Sequence, residues 1–376
     1  MPDLYDAVGY GMRAYTSAAF RVDVLGPRRL PLEPGTLVVI THRRETDVPI
    51  VAPTLYFRTG GHRNRGNRLH FAARDDMFLP GFFAGFPPAL PLQLRRLLYP
   101  VGVARWLPVV NVFPIRSASI ARLGEVLATR PDARLEELVP EAILARFLAR
   151  ASAVGRRGPV RTGDVMRGEY ADLLWQPVSA GNGVLEGLDD FWGRRAAGAA
   201  RDFRTLVELV RARRTLLVFP EGRPSPDGEI GPIRPGIGAL VRRGKPVAVR
   251  PLALAYDPLV RGRPRVHLAV GEAVPPPADE TERALLGLLR GTMPLTCGQV
   301  VAAALAEGAD ADPPALERRL VEAVAAAEEE GRPVERGLAT KESCRRRLAE
   351  ALAAAPAHAD ALPVLAREYS SARQPA

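Results

Sequence analysis

The chain of 376 residues reads as an α/β protein, and three observations predict that class. Short apolar, β-branched runs recur at Thr36 to Ile40, Trp106 to Phe113, Thr215 to Phe219, Pro246 to Ala255 and Val266 to Val270, as expected for strands covered on both faces. Helical patterns lie between them, for example Ala118 to Ala128 and Ala200 to Arg213. An apolar fraction of 47% over this length is enough to bury a substantial core.

Taken in order, Pro34-Gly35 ends the N-terminal segment and opens the first run, TLVVI, which breaks into charge at His42. The segment Thr129 to Ala199 mixes a predicted helix, Leu135 to Ala151, with glycine-rich connections around Gly155 to Gly168 and Gly181 to Gly187, and reads as an insertion or lid. Pro275-Pro276-Pro277 closes the sheet region, so residues 1–278 are predicted to form one domain. Residues 279–376 follow as a helical appendage, with helices at Asp279 to Leu289, Pro314 to Glu330 and Lys341 to Ala355. In the second of these, Leu316, Leu320 and Val324 are spaced for one face.

The net charge is +10, carried almost wholly by arginine, with Lys245 and Lys341 the only lysines. Residues 279–376 carry 12 basic and 16 acidic side chains, which leaves 40 and 26 for residues 1–278 and a net +14 there. Such a field attracts polyanions: nucleic acid, an anionic membrane surface, or phosphorylated substrates. No nucleic-acid reader motif is present, and the aromatics do not alternate with bases, so nucleic acid is the weakest of the three. Two cysteines, Cys297 and Cys344, are too few for a disulfide framework or a metal knuckle and fit a reducing compartment.

No basic and apolar leader opens the chain, and a cytoplasmic, peripheral location is expected. The longest uncharged stretch, Met77 to Leu94, approaches the length of a bilayer span. Its four prolines would leave carbonyls unpaired in lipid. It reads either as a phenylalanine wall dipping into a membrane interface, with Arg95 and Arg96 as headgroup partners, or as a buried acyl tunnel or core.

His42 and Asp47, five apart at the end of the first run, are the candidate catalytic pair. An imidazole can take a proton from an alcohol near neutral pH, and a carboxylate fixes its tautomer. Five residues on a helix turn through about 140°, so the pair needs a turn that folds Asp47 back. The plain alternative is a strand-end histidine and an aspartate capping the next helix. No serine or cysteine stands in a nucleophile elbow nearby, which favours direct attack by a bound hydroxyl over a covalent acyl-enzyme.

His42-x4-Asp47 after a strand is followed in order by Phe113-Pro114-Ile115-Arg116, Phe219-Pro220-Glu221-Gly222 and Val249-Arg250-Pro251-Leu252-Ala253-Leu254. This succession resembles the four-block pattern of the glycerolipid acyltransferases, and of the 1-acylglycerol-3-phosphate acyltransferases in particular. Arg265 to Glu272 resembles the strand ending in Gly-Glu that closes that domain. The resemblance covers roughly residues 15–278 without the insertion. It implies a mixed sheet flanked by helices, with His42 as general base, Asp47 as its orienter and Arg116 as binder of the acceptor phosphate. Glu221, Gly222 and Arg223 would shape the acceptor site. It also implies a fatty acyl group moving from acyl-CoA or acyl-carrier protein to a lysophospholipid hydroxyl, 1-acylglycerol 3-phosphate first among them, with no cofactor and no metal.

The chain departs from that pattern at Thr41 and Arg44, where asparagine and serine are usual, and at Arg223 and Pro224, where threonine and arginine are usual. The alternatives are acylation of glycerol 3-phosphate or another lipid acceptor, and, from another class, a non-catalytic membrane lipid-binding protein.

Overall fold

Strand formation follows the β-branched runs. In the computed structural model, which describes residues 3–27, 30–63, 65–85, 90–155, 158, 160–179, 188–308 and 312–374, the strands are β1 (Arg21–Leu25), β2 (Leu37–Ile40), β3 (His70–Arg74), β4 (Val112–Ile115), β5 (Ile120–Arg122), β6 (Pro177–Ser179), β7 (Leu216–Val218), β8 (Val249–Asp257) and β9 (Arg265–Val270). The chain divides into two compact units, Met1–Phe71 with Leu206–Ala376, and Ala72–Thr205. The architecture is mixed α/β, a mostly parallel sheet flanked by helices.

In the first unit the sheet order is β1, β9, β8, β2, β7, β3. Every pairing is parallel except that of β8 with β9. Leu37, Val38, Val39 and Ile40 of β2 are all fully buried, which is why the run carries no polar alternation. Each such side chain contributes about 1.5–3 kcal/mol through burial.

Helix Leu4–Ala19 packs on helix Asp47–Arg58 through Gly9, whose missing side chain leaves room for the Tyr56 ring. Pro53 lies inside the second of these helices and has no amide hydrogen for the carbonyl of Pro49. That carbonyl instead accepts from the Thr16 hydroxyl at 2.5 Å.

Residues 279–376 fall in this same unit. Their helices are Thr281–Thr292, Cys297–Ala306, Pro313–Glu329, Lys341–Ala354 and Leu362–Ala372, close to the sequence reading for three and additional to it for two. They share an apolar core that includes Val300, Leu316, Leu320, Leu348 and Leu365. A buried ion network ties them to the sheet. Arg347 bonds the Asp257 carboxylate at the end of β8, the Leu259 carbonyl at 2.8 Å and Glu335 at 2.8 Å, and Arg265 of β9 reaches Glu335 at 2.8 Å.

The second unit takes over β3 from Ala72, adds β4 beside it, and pairs β5 with β6 antiparallel, Ile120 opposite Ser179. The described residues of the segment read as an insertion belong to this unit, and its Leu135, Phe147 and Leu173 share one core with Leu123 and Leu127, which precede it. The helix expected at Leu135 to Ala151 runs Glu141–Ala153, because Pro140 sets its start, with a separate 3₁₀ turn at Leu135–Glu137.

Two expectations here are corrected. Trp106 to Phe113 is not a strand: Pro108 opens a 3₁₀ turn, Asn111 takes a left-handed φ of 60°, and the strand begins only at Val112. Ala118 to Ala128 begins as strand β5 and becomes helical only at Leu123. The Gly181 to Gly187 connection lies outside the described residues, as do Phe86 to Ala89 of the uncharged stretch. No helix of the described residues is long and apolar enough to cross a membrane.

His267 of β9 sits fully buried beside the Arg347 network, with no hydrogen-bond partner for either ring nitrogen among the described residues. Burial holds its imidazole below the ordinary histidine value. The unfolded chain therefore binds the extra proton first. Stability should fall as pH drops below about 6.5, the unfolded histidine value, and keep falling until the folded value is reached. Urea midpoints at pH 7.5 and 5.5 test this: His267→Phe should flatten the difference, and an unchanged difference would exclude His267 as its source. Arg347→Ala, which strips the buried Asp257 carboxylate of its guanidinium and leaves Glu335 with Arg265 alone, should cost about 3–5 kcal/mol by the same assay.

Candidate functional site

Parallel strands β2, β7 and β8 send their C-terminal ends to one edge of the sheet, the position where ligands of open α/β sheets bind. There β2 runs into Thr41–Thr46, β7 into Phe219–Gly222, and β8 continues past the end of β2 to Tyr256. The ends of β2 and β8 converge on the Asp47 carboxylate, and the end of β7 reaches His42. Asp47 Oδ2 accepts from His42 Nδ1 at 2.8 Å, Arg43 N at 2.6 Å and Arg44 N at 3.0 Å, and Asp47 Oδ1 accepts from the Tyr256 hydroxyl at 2.7 Å.

Asp47 is not the helix cap of the plain alternative reading. Thr46 holds the cap position, and Asp47, the first helical residue, folds its side chain back over the loop. Burial, followed by the charge and hydrogen bond of Asp47, pushes the Tyr256 phenol well above its ordinary value, so it remains a donor at any working pH.

A carboxylate only accepts, so Nδ1 of His42 donates to it, and in the neutral tautomer this contact selects, the lone pair lies on Nε2. Nε2 has no hydrogen-bond partner among the described residues, and the ring lies 4.3 Å from that of Phe219. The backbone is held as firmly as the ring. His42 N donates to Glu221 Oε1 at 2.7 Å, and the His42 carbonyl accepts from Ser225 N at 2.8 Å.

Glu221, only 2% exposed, accepts through Oε2 from the Ser225 hydroxyl at 2.6 Å and Gly231 N at 2.8 Å. It braces the His42 loop from inside and does not reach out of it. Gly222 has a φ of +71°, and a side chain there would press on Arg234, which itself donates to the Glu221 carbonyl. Arg223 is exposed.

Arg116 belongs to the second unit. Its Nε donates to Asp202 Oδ2 at 2.7 Å, and it lies against Gly198 of helix Asp189–Arg211, where even a Cβ would collide with it. Its fork already holds a carboxylate, the shape and charge of half a phosphate.

Sequence reasoning missed three residues. Tyr256 was legible in principle, as it stands one residue past the run Pro246 to Ala255, and the strand itself extends to Asp257. Ser225 was hidden in a loop. Glu368, in the last helix, takes the Arg43 guanidinium at 3.4 Å and the Gln299 amide at 2.9 Å, a link that no spacing signals. Beside these residues a cavity of about 280 Å³ is lined by Arg43, Arg44, Ser225, Tyr256, Leu365 and Glu368 among others. Arg44 is exposed, lies over the Tyr256 ring at 4.4 Å, and makes no ion pair among the described residues.

Away from this edge, Asp257, His267 and Glu335 bring ligand atoms within 4.8 Å of one another. Arg347 already supplies positive charge to both carboxylates, so the cluster is built as an ion network.

No protein-family model matches the chain, and no curated protein matches it. Among solved structures, it is similar to the 1-acyl-sn-glycerophosphate (LPA) acyltransferase PlsC from Thermotoga maritima, with a TM-score of 0.37, 15% identity, and coverage of 75% of this chain and 77% of that one. Likeness at that level carries neither fold nor chemistry across.

Because four donors converge on Asp47, Asp47→Ala should destabilise the chain by about 3 kcal/mol or more. Tyr256→Phe should cost about 1.5–3 kcal/mol, the range for a hydrogen bond to a charged group. Urea unfolding measures both, and wild-type midpoints would show that the carboxylate does not organise the loop.

Proposed function

We propose that the chain is an acyltransferase that moves a fatty acyl group from an acyl thioester, of coenzyme A or acyl-carrier protein, to a lysophospholipid hydroxyl at an anionic membrane surface. The observation that carries the reading is the His42–Asp47 pair at the sheet edge, with Nδ1 tied to the carboxylate and Nε2 unpartnered. The order of the four sequence blocks agrees with it. No hydroxyl or thiol among the described residues bonds Nε2, which supports attack by the acceptor itself over a covalent intermediate.

In this mechanism Nε2 takes the acceptor hydroxyl proton as its oxygen attacks the thioester carbonyl. The C–O bond forms, the tetrahedral adduct collapses, the C–S bond breaks, and the departing sulfur takes the proton from Nε2, leaving as the free thiol with His42 neutral again. Asp47 stabilises the imidazolium and keeps the ring in place. Arg44, exposed and two residues from His42, supports an acceptor with a phosphate, with 1-acylglycerol 3-phosphate the first choice. No step is assigned to Arg116.

Purified protein offered a radiolabelled acyl thioester and a panel of acceptors tests the reading. His42→Ala should lower turnover about 10²–10⁴-fold, far more than Tyr256→Phe, which removes a donor to the same carboxylate and is the control for the stability cost the two variants share. Undiminished turnover would exclude the mechanism, and vesicle binding without transfer to any acceptor would favour a lipid-binding protein. Arg44→Ala should raise KM for phosphorylated acceptors and leave it unchanged for uncharged ones.

A further inference from the structure

The phenylalanines expected at the membrane are only partly outward: Phe78 and Phe82 are half-buried, Phe82 packing on Phe83 and on Trp175, Phe83 is exposed, and Arg95, expected at headgroups, is buried. Exposed apolar side chains of the second unit cluster from the end of the uncharged stretch onward, with Leu94, Leu97, Val101, Trp106 and Val109 all open to solvent within sixteen residues, Leu97 at 68% and Val109 at 56%, while Phe83, Ile120 and Leu148 are exposed elsewhere in the unit. Few folded surfaces present so many large apolar groups in so short a segment without a partner.

This surface is built. Helix Leu92–Leu98 shows Leu94 and Leu97 outward, while Arg95 on its inner side donates to the Leu90 carbonyl at 2.8 Å and pairs with Asp172 at 3.2 Å. Gly168 lets the helix backbone come close, since a Cβ there would stand 2.5 Å from the Arg95 carbonyl oxygen. The following turns are closed by hydrogen bonds from Val101 N to Leu98 O, Trp106 N to Val103 O and Val112 N to Leu107 O. Trp106 and Val109, three apart across the 3₁₀ turn Pro108–Val110, both stay outward.

Charge identifies the occupant. From residue 77 to residue 124 there is no aspartate or glutamate, and there are five arginines. Arg95, Arg96, Arg116 and Arg122 pair with carboxylates of the same unit, but Arg105 lies over the Trp106 ring at 4.9 Å and makes no ion pair among the described residues. A tryptophan capped by an arginine, amid leucine and valine and without acid, suits the boundary between acyl chains and anionic headgroups.

We propose that Leu94 to Val109 is a bilayer-docking surface that places Leu97, Trp106 and Val109 in the interface of an anionic phospholipid membrane. It deepens the membrane part of the acyltransferase reading, on which it rests, and is tested without turnover, so a chain that docks but transfers nothing leaves it standing and sinks the transfer reading alone.

The full chain is floated with phosphatidylcholine vesicles, with and without phosphatidylglycerol, and tryptophan emission is followed. Binding should be stronger with phosphatidylglycerol, with a blue shift that Trp106→Phe removes. The double variant Leu97→Glu, Val109→Glu should weaken binding about tenfold or more, with circular dichroism and unfolding midpoint unchanged. The proposal is overturned if wild type ignores the vesicles, if the double variant binds as wild type does, or if phosphatidylglycerol makes no difference. Self-association through these residues without vesicle binding would assign the face to a second copy and overturn it too.

Discussion

The buried Asp47 carboxylate is the constraint on which the candidate site depends. A charge with no exposure is tolerable only if donors surround it, and here every donor comes from the elements it must organise: one imidazole, two loop amides and one phenol. Its place in the first helical turn adds the favourable end of the helix dipole. The loop conformation, the histidine tautomer and the orientation of Tyr256 thus answer a single electrostatic demand.

Glu221 repeats the solution one strand away. It joins the end of β7 to the His42 amide and to the Ser225–Gly231 loop, so His42 is fixed through its backbone by one carboxylate and through its ring by another. Double fixation removes rotamer freedom before any ligand arrives, which is what a proton acceptor needs if its lone pair is to meet a hydroxyl in one geometry. The C-terminal helices extend the same support. Glu368 holds Arg43, whose own amide is one of the Asp47 donors, and burial pushes Glu368 up while Arg43 pulls it down.

What the sequence made legible follows from how local each signal is. Uncharged runs such as Val38 to Ile40 and Leu216 to Val218 announce strands because both faces are covered, and the His42–Asp47 spacing is contained within one loop. The strands at Arg21 and His70 were missed because each is five residues long and interrupted or flanked by charge or imidazole, leaving no continuous β-branched run. The run at Trp106 misled because apolar content without periodicity does not separate a strand from an exposed turn. The role of Glu221 was read only as acceptor-shaping, since nothing local shows that its oxygens turn inward to an amide 179 positions earlier.

The net charge of +10 is a weaker guide than the fate of individual guanidinium groups. Arg347, Arg265, Arg116 and Arg122 each hold a carboxylate of the chain itself, and Arg43 holds Glu368, so their charge is largely cancelled where it stands. Arg44 and Arg105 differ: each is exposed, each lies over an aromatic ring, and neither makes an ion pair among the described residues. An arginine stacked on a ring keeps its hydrogen-bonding edge turned outward and is less hydrated than an ammonium, which suits it to phosphate. Arg44 stands two residues from the unpartnered imidazole and Arg105 stands on the apolar surface of the second unit. Arg13, exposed over the Phe57 ring at 4.8 Å, shares their environment but stands beside neither. Under the two proposals it is therefore Arg44 that would meet an acceptor phosphate and Arg105 that would meet a layer of headgroups.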